Sequence, residues 1–537
     1  MLQDNPLWHR FTARLHLLVA MLVALVLTVI LAVSAGSGDM SEVAMVMMAL
    51  GCIALVLMLG DKYWMLIPFA FSSQLPAFPI RGRLLELPEI VAVLCSLALL
   101  VRCAVKRQKF SLFRKQHAPF LLYVGWVAFI FLLHPIGFSG LADSGAGLGG
   151  ARFYAKILMA LASFLIMANQ EVTEKDCKWI IVLLLVGTVL AAFWQIGIYF
   201  LPGLIGTYVD FAEDPDSFYS WQQSLAIVPI LLLGLGFARY KASELFSLNR
   251  LWAAIGFVLC VVLIALSGKR AALASVPMFA IAAALMRREW GFLLLWLAGA
   301  ILAGGIIVLG HGEFFRFPLT IQRAFSALPA QWDSDIGSME AGLDPFRAEL
   351  RRQALKKIAL DPWIGEGYKI DLSVGQALSA QYATRGGDIE LQVMPFAMSS
   401  SWHNTWLGYA ADFGIPLSII AALIFFAVIR ASYRLAVRFP PRSMRATLAA
   451  YLFLTTVVAL IRSQTSGHSA NDAFEHWWAF GALVSLGIAY ARSSGGALLS
   501  LNPYSSGSTT RLPDPSLPGS RPKGALSAPL VSGNSRR

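Results

Sequence analysis

The chain has 537 residues, of which 57% are hydrophobic and only 14% charged, against about a quarter charged in an average soluble protein. A globe of this size needs charge to cover its surface, so one large soluble enzyme is excluded, and the apolar content excludes disorder for the bulk of the chain. Five cysteines without disulfide or metal spacing exclude a secreted disulfide scaffold, which leaves a polytopic membrane protein whose net charge of +12 must be mapped onto the membrane.

A bilayer core about 30 Å thick needs about 20 apolar residues per helix. Runs near 15–34, 42–60, 86–103, 118–135, 153–168, 179–200, 222–238, 251–267, 271–286, 291–310, 407–429, 446–461 and 474–491 meet that need. The first is longer than the roughly 7–15 apolar residues of a signal peptide and reads as an uncleaved anchor. A shorter stretch at 63–78 contains Pro68 and Pro76. Lys and Arg favour short cytoplasmic loops. The basic loops 102–115, 238–250, 287–288 and 430–445 share one side only if 63–78 is counted as a span. The expected fold is therefore an all-α polytopic membrane protein of about 14 transmembrane helices, with both termini cytoplasmic. Its parts are an N-terminal transmembrane bundle (1–310), a large periplasmic loop with an amphipathic helix (311–402), C-terminal transmembrane helices (403–491) and a cytoplasmic tail (492–537). The tail is rich in Ser, Pro, Gly and Arg and is expected to be disordered. The +12 is then a topology signal, and no nucleic-acid partner is expected. There is no Walker loop and no GxGxxG opening a helix, so work outside the membrane must draw on a substrate's stored energy or on a gradient.

Candidate chemistry lies at the outer ends of the spans. The acidic segment 206–217 carries Asp210, Glu213, Asp214 and Asp216, and it reads as a solvated loop before it reads as a metal site. In LSGKRAALASV (266–276), Lys269 and Arg270 sit between two spans, where charge is costly without a partner. An arginine fork fits a diphosphate there; headgroup snorkelling is the alternative. Residues 344–362 have helical spacing, with an apolar stripe of Leu350, Ala354, Leu355 and Ile358 beside Arg347, Arg351, Arg352, Lys356 and Lys357. Such a helix lies flat on the bundle or the membrane surface and ends at Pro362, before a turn with Gly365 and Gly367. In SSSWHNTWLGYAADFG (399–414), His403 has the near-neutral imidazole that can take a proton from a hydroxyl, and Asn404 can orient a donor group or cap the helix. His468, near Arg462, is a rival base. His134 and His311 read as interfacial, and Trp402, Trp406, Trp477 and Trp478 fit an aromatic belt or a sugar-stacking surface.

These motifs, in this order over residues 260–430, resemble the O-antigen ligase and polymerase family of bacterial inner-membrane proteins. The resemblance rests on His403-Asn404, Leu407 and Gly414. It rests also on the helix led by Arg347 (with Glu349, Leu350, Arg352, Ala354, Leu355 and Ile358), its turn Pro362-Gly365-Gly367, and Ser267-Gly268-Lys269-Arg270. It implies a glycosyltransferase with a GT-C-type multi-span bundle that needs no metal or cofactor. The donor would be a glycan on undecaprenyl diphosphate, used at the periplasmic face. The acceptor would be a glycan on a second carrier or the lipid A–core, giving O-antigen or exopolysaccharide. His403 would be the base and Arg270 the stabiliser of the leaving diphosphate. Arg347, Lys269 and Asn404 would bind substrate. Ligases of this family usually carry another arginine where this chain has its acidic loop, so the second cation would be Arg152, Arg347 or Arg462. Membrane lipids, chain-length regulators and export proteins are the expected neighbours. A flippase of lipid-linked glycans and a non-catalytic assembly protein are the rival classes; transporters tend to place their charges nearer the midplane, and a scaffold requires neither His403 nor Arg270.

Overall fold

The computed structural model describes residues 59–73, 78–80, 83–106, 110–112, 114–134, 150–200, 224–241, 244, 251–368, 402, 404–464 and 469–493. Up to Tyr490 they belong to one compact unit. A 3-10 turn (Gly60–Met65) leads into α1 (Leu66–Ser73), then a hairpin of β1 (Phe78–Ile80) and β2 (Arg83–Leu85) pairs Phe78 with Leu85. There follow α2 (Leu87–Lys106), α3 (Ala118–Leu133), α4 (Gly150–Ala168), α5 (Glu174–Phe200), α6 (Ile227–Arg239), α7 (Leu251–Leu266), α8 (Arg270–Arg287) and α9 (Trp290–Gly310). Beyond them come α10 (Leu319–Phe325), α11 (Ser334–Leu360), α12 (Thr405–Arg438), α13 (Met444–Arg462) and α14 (Ser469–Ser493).

Among the described residues, seven helices are long and apolar enough to cross a bilayer: those in α2, α3, α5, α8, α9, α12 and α13. The chain is a polytopic membrane protein, and helices dominate because no water in the hydrocarbon layer can satisfy open backbone. The expected spans at 15–34 and 42–60 and the tail 494–537 lie outside the described residues, apart from Leu59 and Gly60.

One apolar core joins α1 to α5 with α12, α13 and α14, and a second joins α6, α8 and α13. The second depends on small residues: Ala238 of α6, Ala280, Ala282 and Ala283 of α8, and Ala450 of α13 are all buried in it. In lipid, where the hydrophobic effect between helices is absent, such residues let backbones approach closely. α9 is different: of its residues only Gly310 is buried, so it stands apart and leaves a deep space against α7 and α8.

Three sequence expectations change. The stretch 63–78 is not one helix to residue 78. It is a 3-10 turn and a short α-helix ending at Ser73, buried against α5 and followed by the hairpin. The loop helix starts ten residues before 344, at Ser334, and runs through Pro345 before ending at Leu360. Leu355 leaves the apolar stripe and is 56% exposed, while Leu350 and Ala354 are fully buried and Phe346 and Ile358 pack beside them. Positions 346, 350, 354 and 358 follow an i+4 row, and one further residue turns Leu355 about 100° away.

The central feature is a break in α12. Gly414 has φ 79° and ψ 162°, and Pro416 follows inside the helix. A broken helix in a membrane frees backbone groups that must find partners. Here they do. Ala411 O accepts from Glu366 N (3.3 Å), Asp412 O from Gly367 N (2.9 Å), and Phe413 O from Trp126 Nε1 (2.8 Å). Ile415 N donates to Pro362 O (2.8 Å). The turn 362–367 therefore plugs the break. A Cβ on Gly365 would stand 2.7 Å from the backbone of Asp412, Phe413 and Gly414, and one on Gly414 would overlap the Trp363 carbonyl. This plug fixes the C-terminal end of α11 on the bundle.

Candidate functional site

The turn between α7 and α8 is built by Ser267, whose Oγ donates to Ile264 O (2.6 Å) and accepts from Lys269 N (3.2 Å). Gly268 takes a left-handed φ of 67°, and extended Lys269 then starts α8, whose N-terminus no side chain caps. That N-terminus carries partial positive charge from the helix dipole. Arg270 is its first residue.

From this turn a cavity of about 1540 Å³ extends along α7, α8 and α9. Its walls are apolar along the helices, with Phe257, Leu295, Trp296 and Ile307 among them. At the turn end its lining includes Lys269, Arg270, Arg323, Arg347 and Arg462, and no carboxylate lines it among the described residues. Gathering like charges costs energy unless an anion neutralises them. Burial, and then the neighbouring Arg462 guanidinium, push the Lys269 ammonium below its usual pKa. A bound anion would remove the second of these effects, and a diphosphate would accept the paired donors of the arginines.

Four of the expected cations thus meet in one place: Lys269, Arg270, Arg347 and Arg462. They come from separate stretches, and only the fold brings them together. Arg347 follows Phe346 by one residue, about 100° off the buried row of α11, and it lines the cavity. Its neighbours serve otherwise: Arg352 makes a two-point bridge to Glu349 (2.6 and 2.7 Å), which holds that carboxyl below its usual pKa. Lys357 pairs with Glu366 (3.2 Å) and lies over the Trp402 ring (5.0 Å). Arg152 is on the first turn of α4, away in sequence from the cavity's helices, and its side chain lies outside the described residues.

His403 and His468 also lie outside them, as does the acidic segment 206–217. Both flanks of position 403 are described. Trp402 is 2% exposed and its Nε1 donates to Asp412 Oδ1 (3.3 Å). Asn404 caps α12, its Oδ1 accepting from Trp406 N (3.0 Å) and Leu407 N (3.1 Å) while its Nδ2 donates to Gln464 O (3.2 Å). Thr405 N donates to Ser463 O (2.9 Å) and Trp406 Nε1 to Ser463 Oγ (2.8 Å). The residues around 403 are thus tied to the end of α13, beside Arg462. Asn404 has the geometry of a cap. Asn404→Ala is expected to cost about 1 kcal/mol. Asn404→Ser, which keeps the cap, is expected to retain activity and melting temperature. Loss of activity without loss of stability in the serine variant would return Asn404 to substrate binding.

Other expectations change here. Trp402, Trp477 and Trp478 are not belt residues but buried, at 2%, 3% and 6% exposure. Trp477 packs edge-on to Phe120 and Tyr123, and Trp402 is held by Asp412, so both are core. His311 is 2% exposed and stacks on Phe317, so it is not an interfacial anchor, whereas His134 is half-buried at the end of α3 beside Gly367. Arg323 and Asp412 were not found from the sequence. Arg323 had one available signal, a cation in the loop expected at the periplasmic face. Buried Asp412 had only its place nine residues after His403.

Residues 255–422 match the sequence profile of the family described as O-Antigen ligase. The match takes in the Ser267–Arg270 turn, Arg323, Arg347, the 362–367 plug, position 403 and the Gly414 break. No curated protein matches the chain.

Proposed function

We propose that this chain, a member of the O-antigen ligase and polymerase family by its residues 255–422, is a membrane glycosyltransferase. It moves a glycan from an undecaprenyl-diphosphate carrier to a sugar hydroxyl at the periplasmic face of the inner membrane. The observation that carries this reading is the cavity itself: an apolar trough along α7, α8 and α9 that ends in Lys269, Arg270, Arg323, Arg347 and Arg462. A polyprenyl chain suits the trough and a diphosphate suits its cationic end. A transporter would require a charged path through the depth of the bundle. Here the lining cations gather at the turn end.

The reaction needs no nucleotide, because the carrier bond stores the energy. The acceptor oxygen attacks the anomeric carbon as His403 takes the hydroxyl proton. The bond from that carbon to the diphosphate oxygen breaks, and its electron pair leaves with the phosphate. Arg270, with Lys269 and Arg347, stabilises the growing negative charge. One displacement of this kind inverts the anomeric centre. Fixed guanidinium groups carry the charge stabilisation in this reaction. Arg152 is a further candidate for the second diphosphate-binding cation, and Asn404 is a positioning cap.

Analysis of glycans in a deletion strain tests the function. Loss of all lipid A-linked polysaccharide with accumulation of carrier-linked chains is expected of a ligase. A single attached repeat unit is expected of an O-antigen polymerase, and lost exopolysaccharide with unchanged lipopolysaccharide of an exopolysaccharide polymerase. Unchanged glycans of every class would overturn the proposal.

A further inference from the structure

The segment between α9 and α11 folds into a small knot of its own. Gln322 is 1% exposed, yet all of its side-chain amide is used. Its Nε2 donates to Phe317 O (2.9 Å) and to Asp333 Oδ2 (2.8 Å), and its Oε1 accepts from Asp333 N (3.0 Å). Both ends of the segment are thereby clamped to α10. His311 stacks on Phe317 with ring centroids 5.6 Å apart and an angle of 11°, and it packs against Trp332 at 4.8 Å. Trp332 Nε1 donates to Leu328 O (2.9 Å). The knot rests on the α7–α8 turn, where a Cβ on Gly268 would lie 3.3 Å from Thr320 O. The residue after Gln322 is Arg323, and it lines the cationic end of the cavity.

So much buried polar organisation in a segment that could be a plain connector needs a reason, since each bond must outweigh the desolvation of its partners. We propose that residues 311–333 are a phosphate-binding arm. Arg323 binds the diphosphate of the lipid-linked donor alongside Arg270, and Gln322 is the positioning residue that holds Arg323 over the Ser267–Arg270 turn. The proposal rests on the reading of the cavity as the donor site. The arm adds a cation from outside the bundle to those supplied by α8, α11 and α13. It also fixes that cation before the donor arrives, so that little order remains to be imposed on binding.

The test is binding of undecaprenyl diphosphate to the purified full chain in lipid nanodiscs. Arg323→Ala is expected to weaken binding by about ten- to a hundredfold, the effect of losing charge-assisted hydrogen bonds, with Arg323→Lys between it and the wild type. Arg316→Ala, on an exposed residue of the same arm, is expected to change nothing. Gln322→Leu is expected to weaken binding in the wild-type background but to add nothing in the Arg323→Ala background, the sign of action through Arg323. Melting curves on each variant ensure that folded protein is compared. Wild-type binding by Arg323→Ala overturns the arm. Multiplying losses in the double variant overturn the role of Gln322, because a general scaffold defect acts whether or not Arg323 is present. Failure of the wild type itself to bind the probe overturns the donor-site reading instead.

Discussion

Arg270→Ala is expected to lower glycan transfer by about 10²–10³-fold, the usual loss when a preorganised group aimed at developing charge is removed, and His403→Ala by about 10²–10⁴-fold. Both proteins are expected to insert in the membrane and melt near the wild-type temperature. Arg270 opens α8 where the cavity meets the turn, so its loss removes charge from the site and little packing from the core. Its position at a helix start adds the dipole to the side-chain charge, and the apolar walls keep the local dielectric low. Arg270→Lys keeps the charge but loses the two-point fork, and an intermediate rate is expected. His403 differs in kind: without a base the acceptor must lose its proton to water, a deficit of about 10²–10⁴-fold. The measurement is transfer from a lipid-linked donor by purified protein, paired with complementation of a deletion strain. Full complementation by both variants would remove the catalytic assignment.

Gly414→Val is expected to cost about 3–5 kcal/mol and to free the 362–367 turn, with loss of activity although position 414 is not a lining residue of the cavity. The sum has two parts. At φ 79° and ψ 162° the backbone is in a region that only glycine occupies at ease. A side chain would also meet the Trp363 carbonyl. Displacing the turn breaks the bonds from Glu366 N, Gly367 N and Ile415 N and leaves buried carbonyls without partners. α11 would lose its anchor, and Arg347 with it. Limited proteolysis should find new cuts between 334 and 368, with a lowered melting temperature. A protease pattern and activity like the wild type's would show that the plug does not hold α11.

Much of this architecture was legible in the sequence because hydropathy is a local property. The described helices α8, α9 and α13 start and end within two residues of the apolar runs read at 271–286, 291–310 and 446–461. The Ser267–Arg270 turn was legible because a Ser-Gly pair followed by cations interrupts two apolar runs. The row Leu350, Ala354 and Ile358 was legible from its spacing, and Leu355 was misread because a stripe was drawn one residue too wide. The tryptophans near 402 and 477 were misplaced because composition cannot tell a belt from a core; only Asp412 and Phe120 decide it.

The sequence by itself determined that the chain carries long apolar helices fit for a membrane, and which motifs resemble those of polysaccharide ligases and polymerases. These follow from apolar content and short-range periodicity, which each segment carries within itself. The tertiary structure decided what those motifs are for one another. It placed the 362–367 turn in the break at Gly414, laid Thr320 on Gly268, and gathered Lys269, Arg270, Arg323, Arg347 and Arg462 at one end of one cavity. The physical reason is that burial, backbone satisfaction and like-charge proximity are set by partners tens or hundreds of residues away. No window along the chain contains them.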